Sequence, residues 1–146
     1  MFYKDLSFYQ YYRSSPMKNL LNVGWLDDKN EFLVGASPLD FRQKLESIII
    51  GNNDFDAHFN RVRCIHSCNI CGERDITISN GKTESVLGMS EILVPQVENK
   101  LFFAAPSMII HYVNVHNYLP PQPFIDAVMR LDLAQKYCAD YIFDGL

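Results

Sequence analysis

Two short segments of this chain concentrate its cysteine and histidine side chains. Residues 64–72 read CIHSCNICG, and residues 111–116 read HYVNVH. The first segment contains a Cys-x-x-Cys pair followed by glycine, which is typical of a zinc knuckle. A metal ion constrains a fold strongly, because its ligands must converge from segments that are distant in the sequence. The sequence therefore predicts a small domain that is stabilised by bound zinc.

The predicted zinc ligands are Cys68, Cys71, His111 and His116. Zinc prefers four ligands in a tetrahedron, and a tight Cys-x-x-Cys turn supplies two thiolates, while Gly72 allows the backbone to fold back. The two histidines are separated by four residues, within the spacing of about three to five that zinc-finger helices show. Side chains five positions apart point about 140° apart around a regular helix, so we expect the helix to loosen or end near His116.

Cys64 and His66 are alternative ligands. Alternate residues of a strand face the same side, so Cys64, His66 and Cys68 would face one metal ion if a strand continued that far. The set His66, Cys68, Cys71 and His116 stays open, as does a set in which Cys64 replaces a histidine. If they are not ligands, we expect Cys64 to be buried and His66 to lie at the surface or behind a ligand.

Composition and charge narrow the class of protein. A chain of 146 residues, of which 48% are apolar, fits one domain over residues 1–146. The net charge of −4 and the lack of a Lys or Arg run disfavour nucleic acid as a partner. No apolar stretch approaches the roughly 20 residues that cross a bilayer, so we expect a cytoplasmic protein without membrane contact. Cytoplasmic thiols stay reduced, which favours metal binding over disulfides, and we expect Cys138 to pack as a small apolar residue.

The order of the predicted elements is that of an α+β domain with a central antiparallel sheet and C-terminal helices. Apolar runs that are bounded by turn residues predict strands over 20–26, 31–34, 61–66, 75–79, 91–95 and 100–104. The first two of these strands are predicted to form a hairpin across the polar turn 27–30.

Four helices are predicted between and after these strands. The first begins at Ser37 and Pro38, which suit the cap and the first turn, and it ends near Gly51. The second carries His111 and closes at Asn117, shortly before two prolines. The last two are predicted over 124–131 and 132–143.

The chain resembles a group of small uncharacterised bacterial proteins that combine a His-x-Cys-x-x-Cys element with a later His-Tyr pair, a second histidine and a Tyr-x-Pro-Pro-x-x-Phe stretch. The matching residues here are His66, Cys68, Cys71, His111, Tyr112, His116, Tyr118, Pro120, Pro121 and Phe124. The likeness covers roughly the C-terminal half and residues 24–26. It implies a shared zinc-type site and a helical ending without an established activity, and it adds weight to His66 as a site residue.

A non-catalytic zinc-binding domain that acts through protein contacts is the function that the sequence favours. A regulatory, immunity or accessory factor would fit, and the aromatic segment from Phe2 to Tyr12 is the first surface on which to seek a protein partner. His58 stands apart from both clusters and is expected to be a satisfied structural residue.

Two other function classes are compatible with a zinc site. A zinc hydrolase would keep an open metal position beside a carboxylate such as Glu73 or Glu91, but the His-Glu-x-x-His and deaminase signatures are absent from the sequence. A nucleic-acid-binding zinc module would use Asn114 between the two histidines, although the acidic charge argues against it. Enzymatic activity is therefore the less favoured prediction.

Overall fold

A computed structural model describes residues 1–11 and 14–146, which form an α+β domain built on a five-stranded sheet. The strands are β1 (Phe8–Tyr9), β2 (Met17–Asn22), β3 (Phe55–Asp56), β4 (His58–Phe59), β5 (Thr77–Ser79), β6 (Glu84–Val86), β7 (Glu91–Gln96), β8 (Leu101–Pro106) and β9 (Tyr137–Cys138). The helices are α1 (Leu39–Ile50), α2 (Ile109–Val115), α3 (Gln122–Arg130) and α4 (Ala139–Asp144). The predicted α+β class with C-terminal helices is confirmed.

The five-stranded sheet has the order β1-β2-β8-β7-β4. Its middle is the antiparallel hairpin of β7 and β8, which pairs Glu91 with Pro106 at one end and Gln96 with Leu101 at the other. Strand β2 lies parallel to β8, whereas the other three of the four pairings are antiparallel, as predicted. A parallel pairing requires a long crossover connection, and most of the domain lies between these two strands in the sequence.

Helices α1 and α3 join the sheet through a shared apolar core. Helix α1 buries an apolar stripe made of Phe41, Leu45, Ile48 and Ile49. The ring of Phe124 in α3 lies 6.3 Å from that of Phe41 and 5.8 Å from that of Phe103 in β8, so it links both helices to the sheet. Burying one such aromatic side chain stabilises the fold by about 1.5–3 kcal/mol.

Helix α1 follows the prediction closely at both ends. Pro38 rather than Ser37 occupies the position before the first helical residue, and Gly51 ends the helix with its amide donating to the Ser47 carbonyl. Gly51 has φ +71°, and a Cβ there would lie 2.6 Å from the Phe55 carbonyl oxygen. The turn therefore requires glycine both for its backbone angle and for the close approach of the following chain.

The predicted hairpin of 20–26 with 31–34 is wrong. After β2, Gly24 turns the chain with φ +76°, and the Asp27 carboxylate accepts the amides of Lys29 and Asn30 in a local turn. The strand pairing of residues 31–34 with the described residues is limited to an isolated bridge, between Val34 and Tyr118. Local side-chain capping has replaced the expected strand pairing.

The predicted strand over 61–66 is also wrong. The amides of Val62 and His66 donate to the carbonyls of Met89 and Gly88, which are adjacent in the sequence. From Val62 to His66 the chain advances four positions, while the two carbonyls that accept from them are one position apart. The segment between Val62 and His66 therefore cannot follow a regular strand ladder. By contrast, the predicted strands at 75–79, 91–95 and 100–104 are found as β5, β7 and β8.

The last predicted helix is shorter than the sequence indicates. Helix α4 covers only the end of the predicted range 132–143, because Asp132 accepts the Ala134 amide in a turn and Tyr137 joins strand β9. There the Tyr137 ring stacks on Phe55 with 4.8 Å between the centroids. The stacking of two aromatic rings across paired strands outweighs a modest helix propensity.

Candidate metal centre

The first two predicted ligands lie on a tight turn with the geometry of a metal knuckle. The Cys68 amide donates to the Glu73 carbonyl at 2.8 Å, and the Gly72 amide donates to the Cys68 carbonyl at 2.9 Å. The amides of Ile70 and Cys71 point at the Cys68 sulfur, at 3.4 and 3.5 Å. Amides directed at sulfur favour the thiolate, which is the form that binds a metal ion.

The knuckle, which we define as residues 66–73, is anchored to the sheet beside Gly88. The His66 amide donates to the Gly88 carbonyl at 2.9 Å. A Cβ at position 88 would lie 2.2 Å from the His66 carbonyl oxygen, and Gly88 has φ +90°. Only glycine allows the two backbones to approach this closely, so the loop before β7 fixes the position of the knuckle.

The two predicted histidine ligands lie on α2, as expected. His111 is within the helix and is buried, whereas His116 is the residue at which the helix ends, with φ −103° and ψ 5°. Asn117 then adopts φ +54°, and the Tyr118 amide donates to the Tyr112 carbonyl. The predicted end of the helix near His116 is therefore confirmed, and this ending brings the two rings to 5.1 Å between centroids.

The four side chains converge tightly enough to hold one metal ion. Their donor atoms all lie within 4.8 Å of one another. The distance from the Cys68 Sγ to the His116 Nε2 is 3.5 Å, and that from the Cys71 Sγ to the His111 Nε2 is also 3.5 Å. A tetrahedral zinc ion with ordinary bond lengths separates a sulfur from a nitrogen by about 3.6 Å. The observed spacing therefore fits a tetrahedral Cys2His2 centre.

Burial shifts the pKa values of two of these four groups. It raises the pKa of the Cys68 thiol, which is 1% exposed, so a neighbouring positive charge is needed to keep that sulfur ionised. It also lowers the pKa of His111, and the His116 ring adds to this effect. A neutral imidazole is the form that binds a metal ion through its nitrogen lone pair. The Cys68 thiol must therefore lose a proton to bind a metal ion, whereas the His111 ring already favours its neutral form.

The other cysteines and histidines lie outside this cluster. The group that can hold a metal ion contains neither Cys64 nor His66, and the irregular backbone at 61–66 removes the strand alternation that made them alternatives. Cys64 and Cys138 are both exposed, so the prediction that they are buried or packed is wrong. Cys64 lies in an irregular segment and Cys138 in the two-residue strand β9, so neither belongs to a long element with an apolar face. His58 is satisfied as predicted, because its ring nitrogens lie 2.6 Å from the Ser90 hydroxyl and the Ile49 carbonyl.

The carboxylate at the start of β7 is buried. Glu91 is 4% exposed, and its Oε2 accepts hydrogen bonds from the Tyr9 hydroxyl at 3.1 Å and from the Asn60 amide at 2.8 Å. Burial raises its pKa to about 7. The sequence names Glu91 only as a possible base for a hydrolase. The feature of the sequence that indicates a buried carboxylate is a glutamate at the start of the mostly apolar strand β7.

The helices of the described residues are all too short to cross a membrane. The longest, α1, has 12 residues, and none in this part of the chain is both long and apolar enough to span a bilayer.

The chain matches the family described as Domain of unknown function (DUF7919) over residues 1–129. No curated protein and no solved structure matches the chain. Because the family match covers most of its length, the chain belongs to this family. This membership agrees with the predicted resemblance to an uncharacterised family, while the bacterial origin and the motif attached to that resemblance stay predictions.

Proposed function

We propose that this member of the DUF7919 family binds one zinc ion through Cys68, Cys71, His111 and His116, and that the ion is structural. The observation that carries the proposal is the convergence of two thiols and two imidazoles from distant segments within 4.8 Å. The Cys-x-x-Cys turn with amides aimed at sulfur and the helix that ends at His116 support it independently.

Zinc is the metal that this donor set favours. Thiolates together with imidazoles in a tetrahedron suit Zn²⁺, whereas Mg²⁺ and Ca²⁺ require oxygen ligands. In the cytoplasm, which we propose as the compartment, the thiols stay reduced and available to the ion.

A structural role follows from the number of ligands. Four protein donors complete the tetrahedron, whereas a catalytic zinc ion keeps one position for water or substrate. The binding free energy of a structural zinc ion, about 10–16 kcal/mol in small zinc modules, then contributes to folding. Here it would join the knuckle to α2, two segments about forty residues apart in the sequence.

We further propose that the domain acts by contact with another protein. Met1 and Phe8 are 60% and 51% exposed, so the N-terminal aromatic segment presents apolar surface that a partner could cover. Tyr9 of the same segment belongs to the core, and Tyr12 lies outside the described residues. A photo-crosslinker at position 8 in the native host should give a covalent adduct with another protein. If an efficient crosslinker gives no adduct, the N-terminal segment is not a protein-binding surface.

Metal analysis of cysteine variants tests the zinc site directly. We expect one zinc ion per chain in the wild-type protein, and Cys68→Ser and Cys71→Ser should lose it because each removes a thiolate. Cys64→Ser and Cys138→Ser are matched controls, since both residues are exposed and lie outside the cluster. They should retain the full zinc content. Zinc retention in Cys71→Ser, or zinc loss in Cys64→Ser, would overturn the assignment.

Cobalt exchange distinguishes a structural ion from a catalytic one. We expect the absorption spectrum of four-coordinate cobalt with two sulfur ligands, unchanged by added azide or thiocyanate. A spectrum that shifts with such anions would reveal an exchangeable water and would favour the hydrolase.

A further inference from the structure

A cavity of about 210 Å³ lies between the N-terminal aromatic segment and the knuckle. Tyr11 and Trp25 form part of its wall on one side, and Ser67 and Asn69 of the knuckle form part of it on another. Glu91 also lines the cavity. The volume equals that of about seven water molecules, which leaves room for a compact organic molecule.

Glu91 gives this cavity an unsatisfied anionic group. Its Oε2 already accepts hydrogen bonds from Tyr9 and Asn60, but its Oε1 is buried and receives no donor from the described residues. A buried carboxylate oxygen without a partner is costly, and such groups often have a functional reason. A donor supplied by a ligand would satisfy this atom.

The aromatic wall is held in place by its own contacts. The Trp25 Nε1 donates to the Ala104 carbonyl at 3.0 Å, which fixes the orientation of the indole. The rings of Tyr3 and Tyr11 pack on the indole, with centroids 5.5 and 5.7 Å from it. Aromatic rings attract cations through their π electrons, and indole does so most strongly.

We propose that this cavity binds a small organic cation, a primary amine or guanidine with a compact apolar body, whose charged group pairs with the carboxylate of Glu91. The body of the ligand packs on Trp25 and Tyr11. The described lining contains no lysine or arginine that would repel the ligand, although His66 is part of it. The net charge of −4 also favours the approach of a cation.

This site does not require that the domain act through a protein partner. The knuckle contributes one wall of the cavity, so the test uses the protein with its metal bound. Failure of cation binding would leave the zinc measurements above unaffected, and loss of zinc would be detected separately by metal analysis.

Intrinsic fluorescence provides a direct assay, because Trp25 is the single tryptophan of the chain and lines the cavity. We expect benzylammonium to change this fluorescence in a saturable way. Benzyl alcohol has nearly the same shape without the charge, and it should bind at least tenfold more weakly, since it cannot form a charge-assisted hydrogen bond with the carboxylate.

A pair of glutamate variants separates the carboxylate from the general charge of the protein. Glu91→Gln should lower the affinity for benzylammonium at least tenfold and leave that for benzyl alcohol unchanged. Glu84→Gln removes an exposed carboxylate outside the cavity, so its affinity for both compounds should match the wild type.

Three results would overturn the proposal. The first is that benzylammonium gives no saturable signal. The second is that the wild-type protein binds the amine and the alcohol with equal affinity. The third is that the wild type and Glu91→Gln bind the amine with equal affinity. The comparison of two ligands on the wild-type protein needs no variant, so it decides the question even if Glu91→Gln does not fold.

Discussion

Cys68 and Cys71 are three residues apart, yet their surroundings differ. Cys68 is buried and its sulfur faces two backbone amides. Cys71 is exposed, and its sulfur lies 3.5 Å from the His111 Nε2. The spacing in the sequence predicts that both sulfurs face one ion, but it carries no information on their exposure. Exposure depends on how α2 and the knuckle pack, which is a property of the tertiary structure.

Glu91 should make the stability of the protein depend on pH. Burial raises its pKa from the ordinary value of 4.5 to about 7. Between these two values the native state binds more protons than the unfolded state, so this contribution is fully present below about pH 4.5 and is lost as the pH rises through 7. A shift of this size corresponds to roughly 3 kcal/mol.

The variant Glu91→Gln tests this linkage, because an amide does not titrate and can still accept hydrogen bonds from Tyr9 and Asn60. Urea unfolding at pH 5 and pH 8 should show the variant gaining about 2 kcal/mol relative to the wild type at the higher pH. The difference between the two proteins cancels the titration of the cysteines and histidines. A constant difference at both pH values would contradict a buried, titrating Glu91.

At the scale of elements, the end of α2 determines whether His116 can join the centre. Asn117 has φ +54°, a conformation that asparagine and glycine adopt at little cost but β-branched residues do not. Asn117→Gly should therefore change stability little. Asn117→Val should lose about 1–2 kcal/mol and bind zinc more weakly, as measured by urea unfolding and competition with a chelator. Equal zinc affinity in the two variants would show that the helix ending does not position His116.

Elements with strong local signals were predictable from the sequence. Helix α1 has its proline, its apolar stripe and its terminal glycine, and the pair β7 and β8 consists of apolar runs around a short turn. The irregular segments at 31–34 and 61–66 were mispredicted, because their backbone partners lie far away in the sequence, at 117–119 and 88–89. Pairings of this kind depend on the tertiary fold and leave no pattern in the local sequence.

The candidate site was more predictable than the fold around it. A metal ion requires a fixed number of ligands in a fixed geometry, and this requirement limits the spacing of cysteines and histidines in the sequence. The four candidate residues could therefore be named before their positions were known. The cavity beside Glu91 could not be predicted, because its walls come from the N-terminal segment, the knuckle and β7 together. Only the folded chain brings these elements to one place.

At the scale of the whole molecule, the sheet with α1 and α3 contains the main apolar core, and the knuckle is added to its side. Cys68 and Ile70 of the knuckle pack against the core, and the Asn69 side-chain amide donates to the Leu26 carbonyl, whereas a Cβ at Gly72 would meet no atom of the described residues within 4 Å. The proposed metal ion would add a further link between the knuckle and α2, and through the knuckle it would help to shape the cavity.

X-ray absorption at the zinc edge of the purified protein tests the zinc centre most directly. The proposed Cys2His2 centre requires one zinc ion per chain with two sulfur neighbours at about 2.3 Å and two nitrogen neighbours at about 2.0 Å. A first coordination sphere without sulfur, or protein that folds fully with no bound metal after purification in zinc, would contradict it.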